Sequence, residues 1–129
     1  MDGELPEECR RVEKYLAEQG VRSGVKVLAG SAWTAEEAAV GLGCSSAQII
    51  KSLIFRAKAS DRPVLVLTCG DRRVNEKKVA ALIGEKIGRA DARFVHTRTG
   101  FAVGGVPPFA HNEQPMVVVD ASVQRFARM

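Results

Sequence analysis

Apolar residues fall along this chain in short segments of differing period, and each period predicts an element. Over residues 6–19, Cys9, Val12, Tyr15 and Leu16 lie at helical spacing among charged neighbours, and Gly20 follows, so an amphipathic helix is expected there. Residues 25–28 (VKVL) alternate like a short strand. In TAEEAAVGLG, residues 34–43, Thr34 and Glu37 have the spacing of a capping box: the hydroxyl accepts an orphan helix N–H and the carboxylate reaches back. Gly43 is the expected C-cap, and Ser45 or Ser46 can open a second short helix through residues 47–49.

KSLIFRAK (51–58) and PVLVLTCG (63–70) read as strands, the second apolar on both faces, with Asp61-Arg62-Pro63 as the turn between them. Their connection is so short that they pair as a hairpin. A helix is predicted over 75–83, closed by Gly84, and a shorter helical piece over 91–96. PMVVVD (115–120) reads as a strand and ASVQRFARM as a short tail. Strands and helices mix without strict alternation. The fold class is therefore α+β (mixed α/β), a single domain with one mixed sheet and helices packed against it.

The chain has 129 residues, the size of one domain, and is 46% hydrophobic, enough for a core and too much for a disordered chain. A net charge of +4 and a pI near 9.2 lean toward an anionic partner such as nucleic acid, although an ordinary soluble protein with a slight excess of arginine fits as well. Cys9, Cys44 and Cys69 are widely spaced, with no CxxC pair, so neither a zinc knuckle nor a disulfide framework is expected. Reduced thiols in a cytoplasmic protein account for them. The N-terminal stretch has no apolar signal region, and no apolar run reaches membrane-spanning length.

Two features carry candidate chemistry. Lys51 stands between Ile49-Ile50 and Leu53-Ile54-Phe55, where an ammonium needs water, an anion or a partner. It either snorkels from the end of its strand or serves a site. The second feature is TGFAVGGVPPFAH, residues 99–111. Gly100, Gly104 and Gly105 allow positive φ and close approach, while Pro107 and Pro108 stiffen the far side. Its remaining amides suit a carbonyl oxygen or a phosphate, or else the loop is a rigid crossover. It matches neither GxGxxG nor the phosphate loop. His96 precedes the loop and His111 follows it; either can act as a base or serve as a helix cap or surface residue, the latter being the reading favoured for His96. With no HExxH or paired spacing, metal binding is not expected. DRRVNEKK, residues 71–78, is a cationic stretch that suits a phosphate backbone or a solvated face. These residues point to an α+β domain with a pocket and do not by themselves define a reaction.

The order TAEEAAVGLGCSSAQIIKSLIFRA, PVLVLTCGDRRVNEKKVAALIG, TGFAVGGVPPFAH, PMVVVD resembles the YbaK family over residues 25–120. That family comprises free-standing aminoacyl-tRNA deacylases and the editing domain inserted in bacterial prolyl-tRNA synthetases. The resemblance implies a YbaK-like fold and trans-editing, the hydrolysis of the ester that joins a wrong amino acid to the terminal adenosine of tRNA. It makes Lys51 the family's catalytic lysine, which helps to place the tRNA end and the aminoacyl group. It maps the GxxxP loop onto residues 104–108, and the substrate-binding set onto Gly100, Phe101, Gly104, Gly105, Val106, Pro107, Pro108 and His111.

No side-chain nucleophile, metal or cofactor is implied, since the ribose hydroxyl or an amino-acid thiol of the substrate assists and water completes the reaction. The implied partners are the acceptor end of aminoacyl-tRNA and an aminoacyl-tRNA synthetase, with no membrane, for a cytoplasmic monomer. The implied substrates are small amino acids, such as alanine or cysteine, on tRNA for proline or a related tRNA. After VVVD the family continues through a helix, a turn, a strand and a final helix, so a member lacking its usual C-terminal segment is expected. Ala110 stands where many relatives carry glycine. The competing expectation is a non-catalytic module of the same fold that binds tRNA or a synthetase. A DNA-binding role has little support, because no helix-turn-helix pattern stands out.

Overall fold

The hairpin on either side of Asp61 forms the middle of the protein. The computed structural model describes residues 6–21, 25, 28 and 34–129. In it β1 (Ile50–Ala57) and β2 (Pro63–Cys69) run antiparallel, from Ile50 opposite Cys69 to Arg56 opposite Pro63. β3 (Ile87–Arg89) pairs antiparallel with the end of β1, and β4 (Met116–Val119) pairs parallel with β2. The strand order β3-β1-β2-β4 makes a mixed sheet with β2 inside it. That position explains why PVLVLTC is buried at every residue but Leu67.

The described residues also form four α-helices: α1 (Glu7–Glu18), α2 (Ala35–Leu42), α3 (Glu76–Ile83) and α4 (Ala92–Thr99). Three of them start on a side-chain cap. Thr34 Oγ1 accepts from Glu37 N at 3.1 Å, Asn75 Oδ1 from Lys78 N at 3.1 Å, and Asp91 Oδ1 from Phe94 N at 2.8 Å. The same three stop at left-handed glycines, Gly43, Gly84 and Gly100. The core gathers Val64 and Val66 of β2 with Ala57, Ile87 and Val79 of α3, and Phe55, Ile83 and Met116 pack against it. Strand alternation sends Leu65 and Cys69, both fully buried, to the opposite face.

The mixed α+β class and the hairpin match expectation, and several details differ. β3 is too short to show a period. Helix α4 runs on to Thr99 rather than ending at His96, because the first residue able to turn the chain left-handed is Gly100 (φ 85°). The second short helix is a single 3₁₀ turn, Ser46–Gln48, closed by a capping box between Ser45 and Gln48. The expected tail is partly anchored. Ala121–Gln124 forms a 3₁₀ turn capped by Asp120, and Arg125 pairs with Asp71 at 2.8 Å. The neighbours of Lys51 are not fully buried: residues 51–55 are half-buried, with Phe55 packed against the core, and Ile50 is 40% exposed, because β3 covers only residues 55–57 of that strand. The strand expected over 25–28 lies largely outside the described residues. Among the described residues, no helix is long and apolar enough to cross a membrane.

Candidate functional site

Lys51 is the second residue of β1, opposite Thr68. Along residues 50–54 no described strand pairs with the other edge of β1. A hollow of about 400 Å³ opens there. It is lined by Lys51, Ser52 and Ile54 of β1, Thr34 at the head of α2, Val95 of α4, and Gly104 and Val106 of the glycine–proline loop. Among the described residues lining it, Lys51 is the only ionisable side chain, and Thr34 and Ser52 supply hydroxyls.

The lysine is held by backbone. Its Nζ donates to the Arg72 carbonyl at 2.8 Å. An ammonium carries three N–H groups, so two remain for a ligand or water. The Arg72 carbonyl is itself placed by a close approach at Gly70, whose N–H donates to Ile49 O at 2.7 Å. A Cβ at Gly70 would run into the Ser46 carbonyl and lie 2.7 Å from Ala35 Cβ. Only glycine lets the chain after β2 lie this close to the start of α2.

The loop is built from its base upward. Thr99 Oγ1 lies 2.7 Å from Val95 O and 3.1 Å from Phe101 O, and it accepts the Phe101 N–H at 3.0 Å. The returning chain closes the base, with Asn112 N on Thr99 O at 3.0 Å and Glu113 N on Arg98 O at 2.9 Å. Between these ties, Gly105 N donates to Ala102 O at 2.9 Å, and Gly104 takes φ 86° to complete the turn. Among the described residues, the amides of Gly104 and Val106 have no hydrogen-bond partner. Both residues line the hollow together with exposed Val103.

The structure thus brings Lys51, Gly104 and Val106 to one hollow and distributes the other predicted residues around it. Gly105 is exposed in the turn. Gly100 caps α4, and Phe101 is buried at the root of the loop. Pro107 offers its carbonyl to His111 Nε2 at 2.6 Å, while His111 Nδ1 is buried with no partner among the described residues. Pro108 and His111 line a second hollow of about 240 Å³ beside Tyr15. His111 therefore braces the loop, and His96 is exposed on α4. Sequence reasoning missed Thr34, Ser52, Ile54 and Val95. Thr34 carried a signal, since a helix N-cap favours an approaching anion. Val95 carried none.

The acidic groups nearest the Arg72 turn are already engaged. The Arg125 side-chain hydrogen bond holds the Asp71 carboxyl below its ordinary range. The Ser122 backbone N–H does the same for Asp120, aided by the Thr68 hydroxyl, and the Arg72 charge adds to both. Arg72 and Arg73 themselves are exposed. Cys9, Cys44 and Cys69 are free thiols.

Among the described residues, a four-stranded mixed sheet with a lysine where no described strand pairs with the edge of β1, beside a glycine–proline loop and with no histidine or carboxylate lining the hollow, is the class of domain these elements define. Residues 30–129 match the aminoacyl-tRNA editing domain, and the chain belongs to this YbaK-like family. It is 32% identical over 117 residues to the uncharacterized protein YwhH of Bacillus subtilis (strain 168), which covers 91% of this chain and 74% of YwhH. It is 34% identical over 102 residues to the proline–tRNA ligase of Limosilactobacillus fermentum, covering 76% of this chain but only 18% of the ligase. A solved structure described as a candidate trans-editing enzyme for prolyl-tRNA synthetase superposes with a TM-score of 0.89 at 34% identity, covering 95% of this chain and 78% of that one.

Proposed function

We propose that this protein is a trans-editing aminoacyl-tRNA deacylase that hydrolyses the ester of a small amino acid mischarged onto tRNA for proline or a related tRNA. The observation that carries the reading is one hollow lined by Lys51 and by Gly104 and Val106, whose amides have no hydrogen-bond partner among the described residues, in a chain of the editing family. The terminal ribose and its ester enter beside Lys51, whose remaining N–H groups hold oxygen atoms of the tRNA end. The loop amides receive the carbonyl oxygen as it gains negative charge. Water adds to the carbonyl carbon, the carbon–oxygen bond to the ribose breaks, and the proton of the water passes to the departing ribose oxygen, leaving a free amino acid and an uncharged tRNA end.

The hollow holds no histidine or carboxylate among its described lining residues, so the proton travels by way of water or the neighbouring ribose hydroxyl. An ester is already activated, and positioning with oxyanion stabilisation supplies much of the rate gain. Gly100, Phe101, Gly105, Pro107, Pro108 and His111 act with Gly104 and Val106 by shaping the loop. Selection is by size, and because a methylene in an apolar pocket is worth only about 1–3 kcal/mol, a separate editing step is useful to a synthetase. This role requires no cofactor and places the protein in the cytoplasm as a monomer, in passing contact with aminoacyl-tRNA or a synthetase.

The test is release of free amino acid from a panel of mischarged tRNAs, beginning with alanine and cysteine on tRNA for proline. Release that Lys51→Ala abolishes supports the proposal. Tight tRNA binding with no release from any member of the panel would replace it with a binding module.

A further inference from the structure

Helix α1 has no fully buried residue, yet one face of it holds the loop before and after the segment that borders the hollow. Arg11 Nη2 donates to Asn112 Oδ1 at 2.9 Å, and the same guanidinium lies 4.9 Å from the centre of the Phe101 ring. Tyr15, four residues on and so on the same helix face, stacks on Phe109 with ring centres 4.7 Å apart and planes 11° apart. Phe101 precedes the segment 103–106 that borders the hollow, and Phe109 and Asn112 follow it. The Arg11 guanidinium packs directly over the Gly100 backbone, where a Cβ would lie 2.6 Å from Arg11 Nη1. The helix also lies outside residues 30–129, the part that matches the editing family.

The loop's own hydrogen bonds tie its base, the turn at Gly105 and the Pro107–His111 end, and leave the stretch between Ala102 and Pro107 held by the Gly105 bond alone. Glycines at 104 and 105 leave the rest with much conformational freedom to lose. Amides that receive developing charge act well only if they are aimed beforehand. We propose that α1 is a strap that fixes this loop over the hollow, with Arg11 and Tyr15 as positioning residues. The consequence for catalysis rests on the editing reading, whereas the mechanical claim does not.

Backbone hydrogen exchange and deacylation kinetics on the full chain test it, using Arg11→Ala, Tyr15→Ala and Tyr15→Phe. Each alanine variant is expected to speed exchange of the hydrogen-bonded loop amides, those of Phe101, Gly105 and Asn112, by about tenfold, equivalent to roughly 1.4 kcal/mol, while the β2 amides keep their protection. On mischarged tRNA, kcat should fall severalfold with KM little changed. Tyr15→Phe should behave as the wild type in both measurements, because the stack uses the ring and not the hydroxyl. Unchanged loop exchange in both alanine variants would overturn the strap, and so would an equal rise in β2, which would make α1 a general stabiliser. If the wild type releases no amino acid from any tRNA, the editing reading fails while the exchange data still decide the strap.

Discussion

The Lys51 ammonium donates to the Arg72 carbonyl across 21 residues of chain, tying the start of β1 to the turn that follows β2. The bond gives the cation a fixed place at the hollow without neutralising it, since the partner is a backbone dipole and not a carboxylate. Lys51→Ala should therefore lower kcat/KM for deacylation by about a hundredfold, the scale of losing one preorganised electrostatic contact. The fold should survive, because the side chain is half-buried and outside the main core. Lys51→Arg should not restore activity, because a planar guanidinium cannot serve the Arg72 carbonyl and the hollow with the geometry of a compact ammonium. Amino-acid release, with thermal melting as the control for folding, checks both variants.

Gly70 controls the same geometry from behind. Alanine there would set its Cβ against the Ser46 carbonyl and 2.7 Å from Ala35 Cβ. Neither is the end of a flexible side chain, so the backbone itself must move. Gly70→Ala is expected to destabilise the protein by about 1–3 kcal/mol in denaturant unfolding, the range for forced overpacking. It should also reduce deacylation beyond what the stability loss explains, by shifting the Arg72 carbonyl. Wild-type stability with wild-type activity would show that the approach is not tight in solution.

The sheet hairpin and the capped helices were readable because local rules decide them. Thr34, Asn75 and Asp91 sit where a helix must begin, and PVLVLTC has the composition of an interior strand. The pairing of Lys51 with the glycine–proline loop was expected from the family resemblance and not from spacing, since about fifty residues separate Lys51 from Gly104. What stayed hidden depends on tertiary neighbours. Three residues of β3 carry no period, Val95 looks like any helix residue, and the role of Arg72 lies in a carbonyl that every residue has. Gly70 reads as the end of a strand until Ser46 and Ala35 are seen beside it.

Acid should weaken the fold through carboxylates that are held charged. Hydrogen bonds depress the folded-state pKa of Asp120, first from the Ser122 N–H, and that of Asp61, first from the Arg56 side chain. Asp71 and Glu85 are depressed as well. Such groups bind fewer protons folded than unfolded, so their contribution is present above the unfolded value, about 3.9 for an aspartate, and is lost as pH falls through the folded value. Denaturant midpoints should drop as the pH is lowered below about 4. Asp120→Asn should flatten this acid limb while lowering stability at neutral pH, because Thr68 Oγ1 and Ser122 N lose a charged acceptor. An acid limb of undiminished slope in that variant would remove Asp120 from the account.

Ala110 offers the opposite case, a site where the natural residue is the strained one. It takes φ 65°, in the left-handed region where a Cβ crowds the following carbonyl at a cost of about 1–2 kcal/mol. Phe109 before it is stacked on Tyr15 and His111 after it is bonded to Pro107 O, so the chain cannot relax to a negative φ without giving up one of these contacts. Ala110→Gly removes the crowding, and the greater freedom of glycine in the unfolded chain returns part of the gain. A net stabilisation of about 0.5–1 kcal/mol is expected, read as a higher denaturant midpoint at unchanged slope. Deacylation should be retained, because Ala110 lies outside the lining of the hollow that holds Lys51. A lower midpoint would mean that the left-handed turn at Ala110, and with it the course of the loop between Tyr15 and Pro107, is not the one the protein adopts in solution.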